Sequence, residues 1–471
     1  MGIRKGCRYS GCLAILGLAT AGHGQSLPTT SVAPPSPPLA TAPVTAGQAA
    51  GVPVPETTAD SIKSPPRAAS TIAAGSIVRP APVTSPVRSV ADDPRPAWDP
   101  KGILLGTMVV HPSLAIEALG KTNVRATEQD RKSDLAAVMT AAMTAETDWG
   151  RHALAAEGYY RRTQWVSLGK ESRSEFGAVV QGRYDVSSVS NISAIGQYDR
   201  LTQAREDINA PDNARRPAQI DRLRGNLSYQ MDNGLTLIDA DVTVDRRVYR
   251  NTEAFNGGRI DQHGRDFTRY QGSLRLGYAV SGSASLIVAA TLNRRDYDQL
   301  TNGISRNSHG GAVEAGLLFR PSSLLSAEIR AGYLFQNFKA AQLNDAHGLS
   351  ATAQIVWNAL PRTSFRLEAS RRVSESSSTV VQSQITTSGT FGVDREILSN
   401  LIATAEASYE RTNYIGIDRR ATLYSVGLKG RYLMSRLTTV TFSLEHVRRT
   451  ATLSTDRFSG QQARIGISFT I

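Results

Sequence analysis

From about residue 103 to the end of the chain, apolar and polar positions alternate with a period of two. "LIDADVTVDRRVY" sets Ile238, Ala240, Val242 and Val244 on one side and Asp239, Asp241, Thr243 and Asp245 on the other, because an extended chain sends successive side chains to opposite faces. "LSAEIRAGYLFQ" separates Leu325, Ala327, Ile329, Ala331, Tyr333 and Phe335 from Ser326, Glu328, Arg330 and Gln336, and "ARIGISFTI" repeats the pattern with Ala463, Ile465, Ile467, Phe469 and Ile471. Eighteen such segments are predicted, at about 112–124, 133–148, 152–167, 174–187, 191–206, 218–231, 235–250, 266–280, 284–299, 309–320, 324–338, 347–360, 363–376, 379–394, 400–413, 419–434, 436–450 and 457–471.

The connections alternate in length as well. After even-numbered segments they are tight ("SSVSN", "MDNG", "SGS", "LPRT"), and after odd-numbered ones mostly longer and polar ("DINAPDNARRPAQ", "NTEAFNGGRIDQHGR"). A soluble sandwich has no reason to alternate this way, whereas a transmembrane barrel has short turns on one side of the membrane and longer loops on the other. The fold class expected is all-β: a single transmembrane antiparallel up-and-down β-barrel of about 18 strands, with 16 to 20 compatible with the pattern. Its last strand is expected to pair with its first so that no edge remains. Tyr278, Phe319, Trp357, Phe391, Tyr432 and Phe469 fall near the tight-turn ends, and Tyr160, Tyr333, Phe335 and Tyr409 near the other ends, as two interfacial girdles would require.

No run approaches the roughly 18 to 20 apolar residues of a membrane helix. The N-terminus reads as a secretory signal over residues 1–24, with Arg4, Lys5 and Arg8 ahead of a short apolar core and small residues after it. Both cysteines, Cys7 and Cys12, lie inside it, so disulfides, thiolate metal sites and a cysteine nucleophile are not expected in the mature chain. Residues 25–102 read as a disordered Pro/Ala/Ser/Thr-rich periplasmic linker: 16 of the 21 prolines fall between 27 and 100, and such a composition buries too little apolar surface to order itself. The barrel is assigned to 103–471.

Net charge is +12, but the positive residues are interleaved with acids. Nucleic-acid binding concentrates its charge in one patch, so no nucleic-acid partner is expected. The polar face is the expected interior, and it carries both signs: Arg161, Arg247, Arg275, Arg295, Arg330, Arg366, Arg372, Arg431 and Arg464 with Asp239, Asp241, Asp245, Glu328 and Glu368 form the candidate lumen and rim charge. Barrels of 16 to 18 strands are wide enough for water, so passage of hydrophilic solute is the function this interior implies. Arginine pairs recur at the outer ends, among them Arg161-Arg162, Arg246-Arg247, Arg294-Arg295, Arg371-Arg372 and Arg448-Arg449. One member of each pair points in and the other out. The inward member serves either an anionic polymer or nearby carboxylates, and the outward member faces lipopolysaccharide phosphates. Asp239, Asp241 and Asp245 share one inward ladder; a divalent cation or the arginines of adjoining strands would satisfy them. The seven histidines show no metal-ligand spacing and no nucleophile motif such as GxSxG occurs, so no enzyme, metal or cofactor is expected.

The segments "HPSLAIEALGKTNV", "DWGRHAL", "LNRRDYDQ", "GGAVEAGLLFRPSSLLSAEIRAGYLFQNF" and "NYIGIDRRATLYSVGLKGRYLMSRLTTVTFSLEHVRR" resemble the putative beta-barrel porin type 2 family of proteobacteria, over about residues 110–471. The resemblance implies an outer-membrane barrel linked to export or surface display of exopolysaccharide or capsule, and it carries over no catalytic residues. Three readings stay open: an exopolysaccharide channel, a non-conducting barrel that anchors polysaccharide or lipopolysaccharide, and a general diffusion porin. The partners expected are outer-membrane lipid and lipopolysaccharide, anionic polysaccharide, and a periplasmic partner or peptidoglycan reached through the linker.

Overall fold

The computed structural model describes residues 87–471 except 148, 212, 302 and 376–382; the signal and most of the linker assigned above lie outside the described residues. Eighteen long strands make the wall: β1 (Met108–Lys121), β2 (Asp134–Thr147), β3 (Ala153–Trp165), β4 (Arg173–Asp185), β5 (Ser190–Thr202), β6 (Gln219–Asp232), β7 (Thr236–Tyr249), β8 (Phe267–Ser281), β9 (Ala284–Tyr297), β10 (Ser308–Ser322), β11 (Leu325–Phe338), β12 (Ala346–Leu360), β13 (Thr363–Glu375), β14 (Ser383–Leu398), β15 (Leu401–Tyr414), β16 (Arg420–Leu433), β17 (Thr438–Ala451) and β18 (Phe458–Thr470). Each is antiparallel to its sequence neighbours, and β18 pairs with β1 from Ser113↔Thr470 to Lys121↔Gln462. The sheet is therefore closed, and its backbone polar groups are satisfied from strand to strand with no edge left over. Among the described residues no helix is long and apolar enough to cross a membrane.

The wall is inside out relative to a soluble protein. Leu286, Val288 and Leu292 of β9, and Val242 and Val244 of β7, face outward and are exposed, while Thr243, Asp245 and Arg247 on the opposite face of β7 are fully buried. This is the arrangement a bilayer demands, since lipid solvates the apolar face and the polar face must find partners within the barrel. The expected girdles lie on this outer face. Trp357, Phe365 and Phe391 run ring to ring at 5.7 and 6.2 Å on the short-turn side, and Tyr160, Tyr333 and Tyr409 stand exposed toward the other end.

Turn chemistry fixes the register on the short side. Between β6 and β7, Gly234 takes φ +83°, its N–H bonds the Asp232 carboxylate at 2.9 Å, and the Asn233 side chain accepts from Thr236 N–H at 2.7 Å. An Asn-Gly pair of this kind closes a hairpin tightly because both residues tolerate the conformations the turn requires.

Candidate pore lining and the segments that cross it

The buried face of β5 to β8 carries an ion-pair ladder. Antiparallel register sets Arg222 opposite Arg247 and Asp245 opposite Arg269, and the three guanidinium groups converge on one carboxylate. Arg222 reaches Asp245 at 2.8 Å, Arg247 at 2.9 Å and Arg269 at 3.2 Å. Asp199 on β5 continues the ladder, accepting from Tyr159 Oη at 3.0 Å and Gln197 Nε2 at 2.7 Å. Further along the same strands toward the short turns, Arg275 of β8 is shared between Asp239 of β7 and Glu328 of β11, the latter at 2.5 Å, and Arg330 of β11 between Glu328 and Glu314 of β10, the latter at 3.1 Å. Asp241 accepts from Thr243 Oγ1 at 3.4 Å. The aspartates on the β7 ladder thus face arginine and hydroxyl donors.

Strands β8 to β14 curve around a cavity of about 100 Å³ whose lining is mostly uncharged: Gln271, Thr291, Asn293, Gln336, Ser388 and Thr390 supply amides and hydroxyls, with Arg295, Arg372, Glu368 and the ion-paired Glu314 and Arg330 among them. Glu314 is held by Ser350 Oγ at 2.5 Å and Thr352 Oγ1 at 3.2 Å. Donors and acceptors of this kind, spaced along a concave wall, suit a hydroxyl-rich ligand. Three further predicted residues sit elsewhere on the wall: Arg161 donates to Thr140 Oγ1 at 3.1 Å, Arg464 pairs with Glu117 at 3.0 Å, and Arg366 pairs with Asp394 at 2.5 Å. The pattern analysis did not single out Arg222, Arg269 and Asp394. Their phase was readable: Leu223 and Leu227 on β6 and Phe391 on β14 face outward and fix Arg222 and Asp394 inward, and the outward Tyr270 and Leu274 on β8 do the same for Arg269.

At the outer end, the connection 203–218 between β5 and β6 turns inward. Glu206 forms an ion pair with Lys121 of β1, and its carbonyl accepts from Arg449 of β17 at 3.1 Å. Arg205 pairs with Glu171 at 2.9 Å, and Gln203 Oε1 accepts from Arg265 at 3.2 Å. These anchors lie on opposite sides of the barrel, so the connection spans the outer mouth. Asp207 is buried within it, accepting from Gln203 Nε2 and Asn209 N–H, both at 2.8 Å. Burial pushes its carboxyl above the usual carboxylate range, and those two bonds, with Arg265 and Arg449 nearby, offset this only in part.

At the other end, residues 88–99, assigned above to the linker, are held against the inner wall. Ser89 Oγ donates to Asp394 at 2.6 Å, Val90 N–H to Ser364 Oγ at 2.7 Å, and Asn358 Nδ2 to the Arg88 carbonyl at 2.8 Å. Arg431, expected as a lumen charge, donates to the Ala91 carbonyl at 2.7 Å, and Arg95 pairs with Glu396 at 3.2 Å. Ser89 and Val90 are buried, while Asp92 and Asp93 face open space.

A closed 18-strand barrel with an apolar exterior and a charged, hydroxyl-rich interior is a porin-like outer-membrane barrel. The chain belongs to the family described as Putative beta-barrel porin 2, whose model matches residues 95–470. Among solved structures it is similar to the outer membrane protein OpdK from Pseudomonas aeruginosa, at 10% identity, covering 77% of this chain and 98% of that one with a TM-score of 0.40. It is also similar to a BenF-like porin from Pseudomonas fluorescens, at 9% identity, 78% and 100% coverage and a TM-score of 0.42. A third is the siderophore receptor PiuA from Acinetobacter baumannii, at 10% identity, 79% and 82% coverage and a TM-score of 0.41. No curated protein matches the sequence.

Proposed function

We propose that the protein is an outer-membrane channel for an anionic, hydroxyl-rich polymer, an exopolysaccharide on its way out of the cell, and that it rests in a closed state. The observation that carries this reading is the cavity on β8 to β14: amide and hydroxyl groups offer exchangeable hydrogen bonds to sugar hydroxyls, while Arg295 and Arg372 offer charge-assisted bonds to uronate or phosphate groups. A surface that holds such a polymer through many weak contacts lets it slide. Connection 203–218 and segment 88–99 lie across the path from either end, and segment 88–99 continues into the long Pro-rich stretch, through which a periplasmic partner or peptidoglycan would act on it. The same two obstructions favour a second reading, a non-conducting barrel that anchors polysaccharide.

Single-channel conductance in planar bilayers separates these readings. The full chain is expected to conduct rarely, and a chain lacking residues 1–99 in which 204–217 are replaced by a short Gly/Ser turn to conduct steadily, with anion preference and block by an anionic polysaccharide. Silence in both chains, with correct insertion, overturns the channel. Steady conduction without anion preference or polymer block leaves a general diffusion porin.

A further inference from the structure

The outward arginines at the outer end are distributed unevenly around the barrel. On β5 to β9 each is answered by a carboxylate. Arg200 and Arg250 share Asp221 at 2.6 and 2.8 Å, Arg246 pairs with Asp298, and Arg294 pairs with Asp296 at 2.9 Å. On β13 to β17 the corresponding groups are Arg371, Arg411 and Arg448. Arg371 donates to Thr387 Oγ1 at 2.9 Å and Arg411 to Asn413 Oδ1 at 3.2 Å, and among the described residues no carboxylate pairs with any of the three. A fourth outward arginine of this stretch, Arg420 at the start of β16, does pair with a carboxylate, Asp418, at 2.7 Å.

Register makes these three residues one site. Arg371, Thr387 and Arg411 stand opposite one another across β13, β14 and β15, so the two arginines in this row are two strands apart, roughly 10 Å at the usual strand spacing. In the next row toward the membrane, Tyr409 opposes Tyr424 and Tyr424 opposes Arg448. The tyrosine rings lie 5.6 Å apart, both exposed on the outer face. Tyrosines on a barrel exterior mark the depth of the lipid headgroups, so the guanidinium groups sit where headgroup phosphates lie. A planar guanidinium binds phosphate oxygens in pairs, and because the one acid named on this face, Asp418, is engaged by Arg420, the other three guanidinium groups leave it positive where β5 to β9 is balanced.

We infer that Arg371 and Arg411, in the row above the Tyr409–Tyr424 pair, and Arg448, beside Tyr424 in the tyrosine row, form a binding site for a phosphorylated lipid of the outer leaflet. The site is on the exterior and independent of whether the lumen conducts. Its occupant is committed to lipid by the tyrosine platform, which gives acyl-linked sugar or glycerol an apolar floor that free phosphate does not need.

The test uses the full-length protein in lipid nanodiscs of phosphatidylcholine doped with a diphosphorylated acyl-disaccharide lipid, with bound lipid counted by native mass spectrometry. The wild-type chain is expected to retain the phosphorylated lipid. The double variant R411Q/R448Q should lose about tenfold in affinity or more, taking one charge-assisted contact as worth about 1.4 kcal/mol or above. R246Q, on the balanced side, should behave as wild type. Heat-modifiable migration on gels confirms that each variant is folded. Equal retention by wild type and R411Q/R448Q overturns the site, as does equal retention of the dephosphorylated lipid. Inorganic phosphate at millimolar levels should leave the lipid in place; full displacement by it overturns the lipid as occupant in favour of free phosphate.

Discussion

The two halves of the barrel interior are built from the same alternating strands and do different things. On β5 to β8, charge meets charge: Asp245 is enclosed by Arg222, Arg247 and Arg269, all essentially without solvent access, and the connection 203–218 that bars the outer mouth grows from this side. On β9 to β16, amides and hydroxyls line most of the cavity beside the Glu328–Arg330–Glu314 ion pairs, and this half holds segment 88–99 at the inner mouth. The difference teaches that lumen charge is not by itself a solute-binding feature. A carboxylate shared by three guanidinium groups is fully engaged with the wall, whereas a hydroxyl exchanges its partner at little cost.

The comparison breaks first at Asp245. Asp245→Asn leaves three guanidinium groups facing one another in a buried site and should destabilise the barrel by about 3–5 kcal/mol. Unfolding in urea, followed by the folded-to-unfolded gel shift, measures it; a loss below about 1 kcal/mol would mean that water screens the trio as it does surface pairs.

On the opposite half, Arg431→Gln removes a charge-assisted bond to the Ala91 carbonyl, worth about 1.5–3 kcal/mol. Release of segment 88–99 should rise ten- to a hundredfold, read as open probability, with barrel stability little changed. An unchanged open probability would separate the segment from gating.

Asp207 supplies a pH signature for the outer bar. Because its carboxyl is raised in the seated connection, the seated form binds the proton more tightly than the released form. Seating is therefore strongest at acid pH, weakens as pH climbs through the normal carboxylate range toward the raised value, and is constant above it. Open probability should fall as the outer side is acidified, by up to about tenfold per pH unit, and Asp207→Asn should abolish that slope. The smallest effect is expected at Thr352→Ala, which removes one of the donors around Glu314 and should cost about 1 kcal/mol. Its companion reading is weaker block by polysaccharide at unchanged conductance.

Much of the wall was legible before the structure. The alternation at Ile238–Asp245 and at Leu325–Gln336 placed Asp245, Glu328 and Arg330 on the inner face, and the eighteen predicted segments coincide with the eighteen strands to within a few residues. The largest departures are at β1, which begins at Met108, at β5, which ends at Thr202 and not at 206, and at β14, which runs to Leu398; Pro112 discouraged an early start to the first, and the short apolar contrast after Asp394 hid the end of the last. The placement of each arginine within the site was less legible. Arg431 read as a lumen charge, yet its partner is the backbone of a segment about 340 residues away in sequence, and Glu206 read as the end of the fifth predicted strand, 191–206.

The sequence alone therefore determined which residues form strands, how many there are, and which face each side chain takes, because period two and turn chemistry are local properties that need no partner. Only the tertiary structure decided which carboxylate each arginine meets, that residues 88–99 dock at one mouth and 203–218 cross the other, and that the exterior arginines are all answered by carboxylates on β5 to β9 while Arg371, Arg411 and Arg448 on β13 to β17 are not. Those outcomes depend on closure of the sheet: once β18 pairs with β1, residues hundreds of positions apart are brought to the same rim, and no local pattern encodes that distance.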